Sequence, residues 1–243
     1  MSFTECQTFN VKRFLVLVLC AVSCCLAGCQ RVCTDGCSSR LPLFPRINLF
    51  GKKAEPIIVD PRKYSLYVSP HLHQLMPKRV LIVPTGTESG QFHSPALFAD
   101  AMAGAMRAAG IAEIVFPPQI NCQMSVDNIL SGQFDEHDII ELSRAWHCDA
   151  VLFVRVNQLR AFAPLSASVT AALVDATESV VIFAIDGNWD VADPDIKPSY
   201  ERFVKLSSIE CSDAELRLLT QSPNRLFAYI AWQMTTALQQ ASY

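Results

Sequence analysis

The chain has 243 residues, a formal net charge of −3 and 51% hydrophobic residues. That length suits one domain of ordinary size with additional segments, and the apolar content suffices for a packed core. Lysine and arginine are scattered and nearly balanced by acids, which excludes the electrostatic footprint of a nucleic-acid binder.

Lys12 and Arg13 precede an apolar run from Phe14 to Ala27, which ends in Leu26-Ala27-Gly28-Cys29. The run is shorter than the roughly 20 residues of a membrane-spanning helix. A positive start, a short apolar stretch and small residues before a cysteine form the layout of an export signal. The segment closely resembles the lipobox of bacterial lipoproteins. That resemblance implies cleavage before Cys29, so that residues 1–28 are a signal peptide. It also implies diacylglycerol on the Cys29 sulfur and an acyl chain, such as palmitate, on the new amino terminus. Several acyl chains together hold a protein stably on a membrane. Gln30 stands where the enterobacterial sorting rule places Asp for inner-membrane retention. The expected location is therefore the outer membrane, facing the periplasm.

Six of the ten cysteines lie between Cys20 and Cys37, and Cys25, Cys29, Cys33 and Cys37 fall every four residues. Closely spaced thiolates suit zinc or an iron–sulfur cluster. However, Cys25 leaves with the signal, and a thioether at Cys29 is a poor ligand, so neither metal nor cofactor is expected. Cys33 and Cys37 remain in an oxidising compartment. They bridge each other, bridge a second copy, or stay free in a tether; the sequence does not separate these. Cys122, Cys148 and Cys211 read as packing residues.

Residues 29–63 contain Pro42, Pro45, Pro56 and Pro61 without sustained periodicity, and read as a tether. The single α/β domain is expected over 64–243. Tyr64 to Val68 reads as a short edge strand. Val80-Leu81-Ile82-Val83, ended by Pro84, suits a strand covered on both faces. Thr85 to Phe92 is a polar, glycine-bearing loop, and Ser94-Pro95 a helix start. Phe98, Met102 and Met106, flanked by Leu97 and Ala105, share a helical face, and Gly110 stops the helix. Ile111 to Phe116 reads as the next strand.

Asp135 opens a helix with Ile139, Ile140, Leu142 and Trp146 as packing residues. Ala150 to Val156, Ser166 to Val174 and Ser179 to Ile185 follow as strands, the last two joined by the turn Asp175–Glu178 in an antiparallel meander. Asp193 to Pro198 reads as a breaker-rich crossing. Ser212 and Glu215 have capping-box spacing. Ser222-Pro223 starts a long amphipathic helix carrying Leu226, Tyr229, Ile230, Met234 and Leu238. The expected fold is thus α/β (α+β): a mixed sheet with a strand–helix–strand–helix start, an antiparallel meander and covering C-terminal helices.

Signs of catalysis are weak. The loop from Thr85 to Gly90 sits between strand and helix, where backbone N–H groups can hold phosphate. It lacks the Gly-Lys-Ser/Thr end of a Walker loop and the dinucleotide glycine pattern. His71 and His73 would share a face on a strand but are an incomplete metal set. His147 reads as a helix C-terminal residue interacting with the dipole. Asp135, Glu136 and Asp138 are the acids expected in a first helical turn. No Gly-x-Ser-x-Gly elbow or His-Glu-x-x-His pattern is present. No catalytic residues are therefore assigned. Trp146 and Trp232 read as packing residues, whereas Trp189, in Asp186-Gly187-Asn188-Trp189-Asp190, is the candidate solvent-facing partner contact.

Arg79-Val80-Leu81-Ile82-Val83-Pro84, Phe98 to Ile114, Asp149 to Val154, Ser168 to Val174 and Val180 to Phe183 together resemble the periplasmic α/β domain of curli-type assembly lipoproteins. More loosely, they are similar to the amino-terminal domain of TolB and to lipoprotein activators of penicillin-binding proteins. The resemblance covers about Lys78 to Gln240. It implies an envelope lipoprotein working through protein contacts, sometimes as a ring, with no catalytic residues to transfer. The chain departs from the curli secretion pore, whose membrane hairpins need strands of about 9–11 residues. The links Arg160–Ser166 and Asp175–Glu178 leave no room for them.

The expected function is a membrane-anchored, non-enzymatic protein-binding or assembly factor. Its partners would be envelope proteins, or further copies of itself. The alternatives are an envelope hydrolase or metal-dependent enzyme, and a subunit of a secretion or flagellar ring. Convergence of Glu88, His93 and a distant His or Cys in a pocket would favour the enzyme.

Overall fold

The apolar runs Val80–Val83, Ala150–Val156, Ser166–Val174 and Val180–Ile185 fall in strands of one six-stranded mixed sheet, ordered β1-β6-β5-β4-β2-β3. The computed structural model describes residues 64–86, 94–116, 124–208 and 212–242. The strands are β1 (Tyr64–Val68), β2 (Arg79–Pro84), β3 (Glu113–Val115), β4 (Ala150–Arg160), β5 (Ser166–Asp175) and β6 (Val180–Asp190). The helices are α1 (Ser94–Ala109), α2 (Val126–Leu130), α3 (Glu136–Trp146), α4 (Ile196–Leu206), α5 (Asp213–Leu219) and α6 (Pro223–Ala241). Strand β2 pairs parallel with β3 and β4, whereas β4, β5, β6 and β1 pair antiparallel in succession. The strand–helix–strand start and the meander are as expected. Cys29, Cys33, Cys37, Cys122 and Cys211, the signal segment and the tether lie outside the described residues.

The sheet has two unequal faces. One carries the larger core, where Val80, Ile82, Leu152, Val154, Val169, Leu173 and Ile185 meet α1, α4 and α6. Phe98, Met102 and Met106 of α1 are buried there as expected, but Leu97 is exposed. Phe98 meets Phe227 of α6 edge-on at a centroid distance of 5.5 Å. Helix α1 ends at Gly110, whose φ of +65° needs no Cβ to be accommodated. The Ile111 N–H reaches back to the Met106 carbonyl at 3.3 Å, satisfying an end-of-helix acceptor.

The second face buries Leu81, Val83, Val151, Phe153, Ala172 and Val174 beneath α2 and α3. Helix α3 starts at Asp135, whose carboxylate accepts from the His137 N–H at 2.9 Å. It ends at His147 in the left-handed region, φ 50°. Cys148 follows, buried, and loss of solvent pushes its thiol pKa up. Next, Asp149 ties two strand starts together: its Oδ2 accepts from the backbone N–H groups of Lys78 and Arg79, each at 3.0 Å. The capping box at Ser212 and Glu215 is present in full, and the Ser212 N–H holds the Glu215 carboxyl below the usual carboxylate range.

One expectation is corrected here. Asp193 to Pro198 is no mere crossing, because α4 begins at Ile196. Pro198 falls in the first helical turn, where a missing N–H breaks no helical hydrogen bond. His71 and His73 are exposed in the turn after β1, as surface histidines beside Pro70 should be. His73 Nδ1 sits 2.8 Å from the Ser242 carbonyl oxygen.

Candidate functional site

Among the described residues, α2 and α3 cover the second face over β4 and β5 and α2 reaches β6, while Tyr67 of the edge strand β1 stands exposed beyond them. Strand alternation turns Tyr67 and Ala184, which are register partners, toward that face. Across from them stand Ile129 and Leu130 of α2, then Gly132 and Phe134 of the link to α3. Between these walls lies a groove of about 550 Å³, lined also by Ser179, Val180 and Val181. Its rim is apolar and solvent-facing: Tyr67 is 52% exposed, Leu130 44% and Val180 40%. Among the described residues of the lining, Glu136 alone is charged.

Beyond this groove the same face turns polar. Arg155 of β4 donates from Nη1 and Nη2 to both carboxylate oxygens of Asp127 on α2, at 2.5 and 2.8 Å. Its Nε donates to Asn157 Oδ1 at 2.5 Å. Asn157 Nδ2 donates to Thr170 Oγ1 at 2.7 Å, and Thr170 donates to Asp186 Oδ1 at 2.5 Å. The Arg155 guanidinium holds the Asp127 carboxyl below its ordinary range, and Asp127 in turn raises Arg155. Such a two-pronged pair fixes orientation more than it adds energy at an exposed site. Its effect is to seat α2, the inner wall of the groove, on the sheet.

The structure overturns the reading of Trp189 as a solvent-facing contact. Strand β6 continues through Gly187 to Asp190, so Phe183, Ile185, Gly187 and Trp189 alternate onto the core face. Trp189 is 1% exposed. Its indole stacks on Tyr64 at 6.2 Å between ring centroids. Trp146 and Trp232 are partly buried packing residues. Of the Thr85–His93 loop only Thr85 and Gly86 are described, so Glu88 and His93 fall outside. Among the described residues, no three or more His, Cys, Asp or Glu side chains are grouped to hold a metal ion. No helix among them is long and apolar enough to cross a membrane.

No family model and no curated protein matches the chain. Among solved structures it is similar to the PelC dodecamer from Paraburkholderia phytofirmans. There the TM-score is 0.41 and the identity 16%, covering 71% of this chain and 96% of that one. Lipoprotein GNA1162 from Neisseria meningitidis is similar at TM-score 0.34 and 20% identity, covering 47% of this chain and 81% of that one. The hypothetical protein CT253 from Chlamydia trachomatis is similar at TM-score 0.38 and 13% identity, covering 68% and 96%. At TM-scores below 0.5, these likenesses say nothing of function.

The groove was missed in the sequence because three separated segments build it. The one local signal was Tyr67 beside Leu66 in a strand too short to be covered on both faces.

Proposed function

We propose that the protein is a lipid-anchored envelope factor that acts by holding other proteins. The observation that carries this reading is the open apolar groove, bordered by β1, an edge strand of the sheet. Contiguous exposed apolar surface of this kind marks protein contacts more often than chemistry. The lipobox-like segment ending at Cys29 supports attachment to a membrane. Outer-membrane placement follows from Gln30 under the sorting rule. The same reading assigns no cofactor and no catalytic group to the chain.

The experiment has two arms in cells making the full chain. Wild type should take up labelled fatty acid and lose residues 1–28, whereas Cys29→Ser should do neither. A photoreactive residue at Leu130 should trap a defined envelope protein in wild type, and Tyr67→Asp should abolish that adduct. An unlabelled wild-type protein, or capture that Tyr67→Asp leaves unchanged, overturns the reading.

A further inference from the structure

The two edges of the sheet are protected very differently. Strand β3 has three residues, and Glu113 on it pairs with Arg79 Nε at 3.4 Å. Short length and charge are the usual defences of an exposed edge. Strand β1 is also short, with five residues, but Tyr64-Ser65-Leu66-Tyr67-Val68 carries no charge and no proline. Leu66 is 44% exposed toward the larger-core face and Tyr67 52% toward the groove face, while Tyr64 and Val68 are partly buried against the larger core. The Ser69 N–H donates inward to the Ile182 carbonyl at 3.0 Å. By antiparallel alternation, Ser65 and Tyr67 also bond inward, and the main-chain groups of Leu66 and Val68 turn away from β6.

We propose that β1 pairs antiparallel with β1 of a second copy of this chain, joining two sheets about a two-fold axis at Leu66. The strand is complementary to itself in that register. Leu66 meets its own counterpart. Tyr64 meets Val68 of the second copy on the same face, twice over, an aromatic and β-branched pairing that favours strand association. On the groove face each Tyr67 meets a Ser65, so a large ring lies beside a small side chain. No like charges face each other anywhere in the pairing. The two-fold also closes the assembly, because the joined strands leave no further copy of this edge exposed.

A five-residue strand pair is smaller than the roughly 1,000 Å² that a stable soluble interface needs. The dimer therefore forms at the high local density of a membrane surface and weakens in dilute solution. This point alone rests on the lipid-anchor reading.

The test uses the purified full chain reconstituted in phospholipid vesicles at graded density. Leu66 is replaced by photoreactive benzoylphenylalanine and adducts are mapped by mass spectrometry. Separately, copies per particle are counted from fluorophores placed at the C-terminus. Expected results are adducts from position 66 to residues 64–68 of a second copy. A dimer fraction should rise with density. Leu66→Lys should cut dimerisation roughly ten-fold, because like charges then oppose each other. Unchanged circular dichroism of this exposed-site variant separates loss of pairing from loss of fold. Monomers at every density, adducts outside β1, or dimers indifferent to Leu66→Lys overturn the proposal. Capture of other envelope proteins is read in cells, so the proposed function and this pairing fail separately.

Discussion

The Trp189 indole Nε1 donates to Gln233 Oε1 at 2.5 Å, joining β6 to α6 inside the larger core. Gln233 Nε2 then donates to the Tyr229 hydroxyl at 2.7 Å, so the amide is satisfied at both ends. A buried chain of this kind specifies one arrangement of helix on sheet, because breaking one link strands a polar atom. Trp189→Phe keeps an aromatic ring but leaves the Gln233 oxygen without its donor. Urea unfolding should show a loss of about 1–3 kcal/mol.

Gly187 is required by the same tryptophan. A Cβ at that position would lie 2.7 Å from Trp189 Cη2 and 2.8 Å from Tyr64 Cβ. Gly187→Ala should therefore destabilise by about 1–3 kcal/mol, as overpacking does. Near-ultraviolet circular dichroism should change as the Trp189–Tyr64 stack is displaced. An unchanged stack and midpoint would contradict this account.

His147 holds a backbone conformation that glycine adopts freely. Its position just past α3 is one that commonly carries glycine. His147→Gly should raise the stability by about 1 kcal/mol, read as a higher denaturation midpoint at unchanged slope. A fall in stability would mean that the imidazole makes a stabilising contact.

Tyr229 is buried, and loss of solvent pushes its hydroxyl pKa up from 10.0 to about 12. Burial pushes Tyr200 up as well. A raised pKa means that the folded state retains protons the unfolded chain releases. The associated stability is present below pH 10 and declines as the pH rises through about 12. Thermal midpoints should fall progressively over that window, and Tyr229→Phe should flatten the decline. An equal slope in the variant would remove Tyr229 as its cause.

Much of the fold was legible because its local signals agree. The apolar run Val80–Val83 suited a strand buried on both faces, and Ser212 with Glu215 had the spacing of a capping box. Met106 and Phe98, at helical spacing, marked the covered side of α1. What misled was punctuation taken too literally. Pro198 suggested a break but sits where the first helical turn needs no N–H. The last meander strand was expected to end at Ile185 but runs on to Asp190, and the alternation Phe183, Ile185, Trp189 places the indole in the core, where Gly187 leaves it room. Helix α2, with five residues, is too short to display a period. The groove depends on where Phe134, Leu130, Val180 and Tyr67 meet, which no local pattern encodes.

The meander β4–β5–β6 is built from neighbours in the chain, whereas β1 must wait for β6, more than a hundred positions later. Contacts close in sequence form early, and those spanning long loops are slow to close. Strand β1 is therefore the last stitched into the sheet. A refolding copy would present its bare β6 edge for a time, open to a neighbour's β1 before its own docks.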